Sequence, residues 1–169
     1  MLQLSRHGYY AIERTAYGVR LTIREGLNQE AVAEYGLDMT KHLLELEGRL
    51  WGMLLIVEHD AMLTPEGGRR LQQTIQPQFS MGRCATAILL RECRASALVS
   101  DFWSRIYQSS NLPFQLFTQE SEAQSWLEAQ IRLTSQHPAM DAISQAANKE
   151  QDTAIHFPDT APSTRPKVD

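Results

Sequence analysis

Trp51-Gly52-Met53-Leu54-Leu55-Ile56-Val57 decides the fold of this chain. The run carries no charge, ends in two β-branched residues, and is too short for a buried helix, so it reads as a central strand apolar on both faces. The residues after it set its surroundings. Glu58-His59-Asp60 leaves the strand, and Thr64-Pro65-Glu66 opens a helix, with Thr64 as cap and Pro65 at the first helical position. Leu71 and Ile75 mark the apolar side of that helix, and Met81-Gly82 its end. Upstream, His7–Arg14 and Val19–Arg24 are rich in β-formers, and Val19, Leu21 and Ile23 alternate with Arg20, Thr22 and Arg24. The joint Thr15-Ala16-Tyr17-Gly18 has the length of a turn, which predicts an antiparallel hairpin. Asn28 caps a following helix bearing Val32, Tyr35, Met39, Leu43 and Leu46, which Gly48 ends.

Downstream the alternation continues. Cys84–Leu90 reads as a second buried strand, Ala95–Tyr107 as a helix, Phe114–Phe117 as a short strand and Glu120–Arg132 as a last helix. The order ββαβαβαβα needs right-handed crossovers. It predicts an α/β fold with a mainly parallel, five-stranded mixed sheet.

The 169 residues are enough for one domain and a tail. Net charge is -4 with no long run of either sign, so the chain lacks the basic face a nucleic-acid binder uses to displace counterions. No apolar stretch approaches the roughly 20 residues of a membrane span. Two cysteines, Cys84 and Cys93, are too few for a disulfide framework and suit a reducing, cytoplasmic setting. Composition shifts near residue 133: beyond it lie Pro138, Pro158, Pro162 and Pro166, and no tryptophan. The expected organisation is a domain over 1–132, an extra helix within 133–150 and a disordered tail over 151–169.

Three stretches together resemble the STAS superfamily, named for sulfate transporters and anti-sigma-factor antagonists. They are Trp51–Val57, Leu63-Thr64-Pro65-Glu66-Gly67-Gly68 and Glu122-Ala123-Gln124-Ser125-Trp126-Leu127. The likeness is to small, stand-alone bacterial members resembling sporulation anti-sigma factor antagonists, and it covers about residues 7–132. The resemblance implies a STAS-like fold and a regulatory, protein-binding role without catalysis. In switch members a serine or threonine opening the helix after the central strand is phosphorylated by a partner kinase, and Thr64 is the hydroxyl matching that position. This chain has Thr64-Pro65-Glu66-Gly67-Gly68 where those members carry an Asp-Ser-Ser/Thr-Gly-like stretch.

The residues themselves suggest several sites, each with a plainer reading. Thr64, Gly67 and Gly68 form a candidate phosphorylation or anion site at a positive helix end, with a simple helix cap the favoured reading of Thr64. Two glycines in a helix are costly and point to close backbone approach or tight packing. Asp60, Met62, Leu63, Phe102, Trp103 and Tyr107 form a candidate partner or ligand surface. Phe102 and Trp103 sit about 100° apart on the helical wheel, so one buried face does not hold all three aromatics. Glu58, His59 and Asp60 lie where ligands gather in parallel sheets, but strand alternation is a poor geometry for a metal, and no metal or cofactor is expected. No nucleophile elbow, P-loop or dinucleotide fingerprint occurs. The leading expectation is a non-catalytic interaction module working through Asp60–Gly68 and Arg94–Ser96. The alternatives are a carrier of a small apolar or lipid-like ligand and, more weakly, a hydrolase or transferase using Glu58, His59 and Asp60. A homodimer through the first hairpin is also expected, because Tyr9 and Tyr10 point to opposite faces of an edge strand.

Overall fold

The computed structural model describes residues 7–136. Its elements are β1 (Tyr10–Thr15), β2 (Gly18–Ile23), α1 (Gln29–Glu45), β3 (Trp51–Glu58), α2 (Pro65–Ser80), β4 (Arg83–Arg91), α3 (Ser96–Gln108), β5 (Phe114–Phe117) and α4 (Glu120–Gln136). The order matches the expectation. The last helix runs to Gln136 rather than Arg132, so the expected boundary at 132 falls inside it. The extra helix expected over Ala139–Lys149 and the tail over 151–169 lie outside the described residues.

The five strands follow chain order across the sheet, β1-β2-β3-β4-β5. β1 and β2 are antiparallel, and every later pair is parallel. Because each parallel strand is added on the same side, right-handed crossovers put α1, α2 and α3 on one face of the sheet. α4 follows the last strand and is free to return over the other face. Strand alternation then divides the core. Val19, Leu21, Ile23, Met53, Leu55, Val57 and Ile88 join the first three helices, while Leu54, Ile56, Ala85, Ala87 and Leu89 meet Ala123 and Leu127 of α4. β3 is buried along its whole length, as the sequence required. Gly52 lets α4 close on the sheet, since a Cβ there would stand 2.9 Å from Leu127 Cδ2.

One core residue breaks the usual sorting of charge. Arg83, at the start of β4, is 2% exposed and has no carboxylate partner among the described residues. Its guanidinium donates to Gln78 Oε1 (2.6 Å) and Thr86 Oγ1 (2.6 Å), and lies over the rings of Trp51 (5.8 Å) and Tyr107 (5.7 Å). Neutral oxygens and ring faces replace a counter-ion. Helices of parallel βα units end beside the starts of the strands, so the negative ends of α2 and α3 also point toward this charge. Burial pushes the neighbouring Tyr35 phenol up to about 12, with the Arg83 charge acting in the opposite direction.

Candidate functional site

The carboxyl ends of β3 and β4 carry the unusual local chemistry. β3 stops at Glu58, and the next two residues both take left-handed backbones, His59 at φ 52° and Asp60 at φ 57°. On the adjacent strand end Glu92 does the same at φ 54°. These are the three non-glycine residues of positive φ among the described residues, and such conformations cost about 1–3 kcal/mol each. They flank one open groove of about 270 Å³, lined by His59, Asp60, Glu92 and Arg94. His59 Nδ1 lies 3.5 Å from Glu92 Oε2. Asp60 Oδ1 accepts the backbone N–H of Ala95 at 3.0 Å, which supplies α3 with a cap its own Ala95 side chain lacks. The alternation that would have put Glu58 and Asp60 on one side therefore does not hold, because the strand ends before Asp60.

Glu58 is held by two arginines. Arg24 Nε donates to its Oε2 at 2.8 Å and Arg91 Nη1 to its Oε1 at 3.1 Å. The hydrogen bond from Arg24, then that from Arg91, holds the carboxyl below the usual glutamate range against the opposing effect of burial. Arg91 also donates to Glu120 Oε2 at 2.6 Å, and Glu120 meets Arg20. A chain of alternating charge thus runs from Arg24 through Glu58, Arg91 and Glu120 to Arg20, pinning the start of α4 to the sheet. Among the described residues no group of three His, Cys, Asp or Glu converges to hold a metal. Cys93 is half-buried, its Sγ 3.6 Å from the Val57 and Arg91 carbonyls.

Beyond Asp60 the chain crosses to the start of α2. Ala61 O accepts from Trp103 Nε1 at 3.0 Å, and Leu27 N–H donates to Met62 O at 3.2 Å. Thr64 is exposed and caps α2, its Oγ1 accepting from Gly67 N at 3.1 Å. The two glycines have different reasons. A Cβ on Gly67 would meet Leu27 O at 3.1 Å and Thr64 Oγ1 at 3.2 Å, so the α2 start is pressed against the loop that opens α1. A Cβ on Gly68 would meet only Ile106 Cδ1, at an ordinary 3.9 Å.

The expected aromatic surface needs correction. Trp103 and Tyr107 are 0% and 1% exposed and belong to the core, where residues four apart share a stripe with Val99 and Ile106. Phe102 is half-buried beside Trp103, with ring centroids 5.5 Å apart, and Leu63 is buried. Only Asp60, Met62 and Phe102 of that set keep partial access. Of the residues expected to line a carried ligand, Trp103 and Leu63 are buried and Met62 and Phe102 half-buried. Glu92 does not stand out in the sequence, because a left-handed turn residue there has no glycine or asparagine to mark it.

No protein-family model matches the chain, and no curated protein matches it. Among solved structures, it is similar to an uncharacterized DUF3478-family protein with a SpoIIAA-like fold from Shewanella loihica PV-4. The TM-score is 0.52 at 14% identity, over 75% of this chain and 98% of that one. The fold is SpoIIAA-like. That is the STAS-type architecture the sequence resembled, and the likeness speaks to fold. No described helix is long and apolar enough to cross a membrane.

Proposed function

We propose that this chain is a non-catalytic regulatory module that binds a protein partner through the loops at the carboxyl ends of β3 and β4 and the start of α2. The observation that carries the reading is the grouping of three left-handed non-glycine residues, His59, Asp60 and Glu92, around one open groove in a SpoIIAA-like fold. Backbone strain gathered at the carboxyl ends of two neighbouring strands is the pattern of a functional site, and of the three residues only Asp60 has a structural task of its own, the α3 cap. Thr64 adds an accessible hydroxyl on the neighbouring loop. The commitments of the rim carboxylates support binding over chemistry: Glu58 is held by two arginines, and Asp60 by the α3 cap.

Thr64 serves this surface as a cap rather than a phosphate switch. Glu66 lies within a turn of it, where like charge opposes a phosphate. The test compares partner capture by full-length wild type, Thr64→Asp, Thr64→Ala and His59→Ala/Glu92→Ala. We expect both Thr64 variants to retain the partner and the double variant to lose it with its melting temperature intact. A partner kept by Thr64→Ala but lost by Thr64→Asp would restore the switch. Equal capture by all four would refute the surface.

A further inference from the structure

We infer that the outer edge of β1 is a self-association surface, and that two copies pair there antiparallel about a twofold axis at Ile12. Among the described residues β2 is the one strand paired with β1, so the sheet ends at this edge. The hydrogen-bond phase of the hairpin is fixed. Arg24 N–H donates to Tyr9 O at 3.1 Å, and Tyr10 pairs with Ile23, so the residues bonded to β2 are Tyr9, Ala11, Glu13 and Thr15. The N–H and C=O of Ile12 therefore point away from the sheet, as do those of Arg14.

Symmetry and charge narrow the register. A twofold axis perpendicular to a continuous sheet keeps each face on its own side, so residues must pair in registers centred on a residue. A centre at Glu13 sets Glu13 against its own copy, and a centre at Arg14 does the same with arginine, both unfavourable. Centres at Tyr10 or Ala11 shorten the overlap within β1. A centre at Ile12 gives the longest overlap free of opposed like charges: Ile12 meets Ile12 of the second copy, Ala11 meets Glu13, and Arg14 comes beside Tyr10. The face shared by Tyr10, Ile12 and Arg14 borders a groove of about 280 Å³ between β1 and α1, whose far wall is Asp38, Lys41 and His42. The incoming Ile12 suits that groove, apolar beside Ile12, while the incoming Arg14 comes to the side where Asp38 accepts from Tyr10 Oη at 2.7 Å and Lys41 Nζ at 3.2 Å. Arg14 of each copy keeps a carboxylate on its own α1, with Nε 3.6 Å from Glu45 Oε2.

The test is sedimentation of the full chain over a wide concentration range, with oxidative crosslinking of Ile12→Cys. Paired residues bonded across an antiparallel ladder have Cα atoms about 5.5 Å apart, inside the disulfide window. We expect mass to rise from 19.2 kDa toward twice that value, and Ile12→Cys to crosslink while wild type and Ala11→Cys do not. Ile12→Pro removes an N–H that the β2 ladder does not use, so it is expected to abolish the dimer and keep the fold. Ala11→Lys, set against Glu13, is expected to tighten the dimer by about two- to tenfold. A mass fixed at 19.2 kDa overturns the proposal, whether a terminal segment of the same chain covers the edge or nothing does. A dimer that Ile12→Cys fails to trap overturns it too, and this result stands even if Ile12→Pro does not fold.

Discussion

Replacing Gly67 and Gly68 one at a time by alanine separates a packing glycine from a dispensable one. Both lie in the first turns of α2, where alanine is favoured over glycine by about 1 kcal/mol on helix propensity alone. At Gly68 the added methyl finds a single contact at 3.9 Å, so that gain is retained and Gly68→Ala is expected to stabilise by about 0.5–1 kcal/mol. At Gly67 the methyl would sit 3.1 Å from a backbone carbonyl and 3.2 Å from the capping oxygen of Thr64. Neither neighbour is the free end of a flexible side chain. Overpacking of this kind costs about 1–3 kcal/mol, and loss of the cap about 1 kcal/mol more, which outweighs the propensity gain. Gly67→Ala is then expected to destabilise by roughly 1–2 kcal/mol, a gap of about 2 kcal/mol between the variants. At roughly 3 °C per kcal/mol for a chain of this size, thermal denaturation should separate the two melting temperatures by about 6 °C. A Gly67→Ala protein as stable as Gly68→Ala would refute the argument, and would return Gly67 to the positions kept open for a ligand.

Three further outcomes rest on the geometry. Thr64→Asp should leave urea stability unchanged and Thr64→Ala should lower it by about 1 kcal/mol, because aspartate caps as well as threonine. Glu58 has a folded pKa below its unfolded value, so its stabilising contribution is present above pH about 4.3 and is lost as pH falls through the folded value. Acid titration of Glu58→Gln followed by tryptophan fluorescence should show a shallower loss below that pH than wild type. Arg83→Met leaves Gln78 and Thr86 without their buried donor and should cost about 2–5 kcal/mol, whereas Arg83→Met/Gln78→Leu/Thr86→Val, which removes the whole polar set, should recover most of it in chemical denaturation.

Periodicity and turn chemistry made most of the fold legible. The unbroken run at Trp51–Val57, the Thr64-Pro65 start and the alternation in Val19–Arg24 are each set by neighbours in the chain, and each appears where expected. The site was less legible because its bonds are long-range. Glu58 is joined to Arg24 and Arg91 across 34 and 33 residues. Strand parity held a partial signal, since Arg20 and Arg24 lie opposite the apolar Val19, Leu21 and Ile23 and so face the side later covered by α4. Arg83 gave no signal at all: arginine is almost never fully buried unless paired, and its partners are uncharged. Trp103 and Tyr107 read as surface only when adjacency to Phe102 is weighed above the four-residue spacing that joins them to one stripe. The last helix overran its expected end because Leu133-Thr134-Ser135-Gln136 carries neither glycine nor proline to stop it.

The left-handed trio at the rim has a consequence for how this chain tolerates change over time. Glycine at position 59 or 92 relieves a conformational cost, so random drift under selection for folding alone pushes those positions toward it, whereas at Asp60 the same relief is offset by loss of the α3 cap. Arg83, Trp51 and Gly82 at the opposite pole are under the reverse pressure, where almost any replacement weakens the core. A saturation library sorted once for folded protein and once for partner binding should therefore split by pole: substitutions at the base fail both sorts, while glycine at 59 or 92 is enriched in the first sort and depleted in the second.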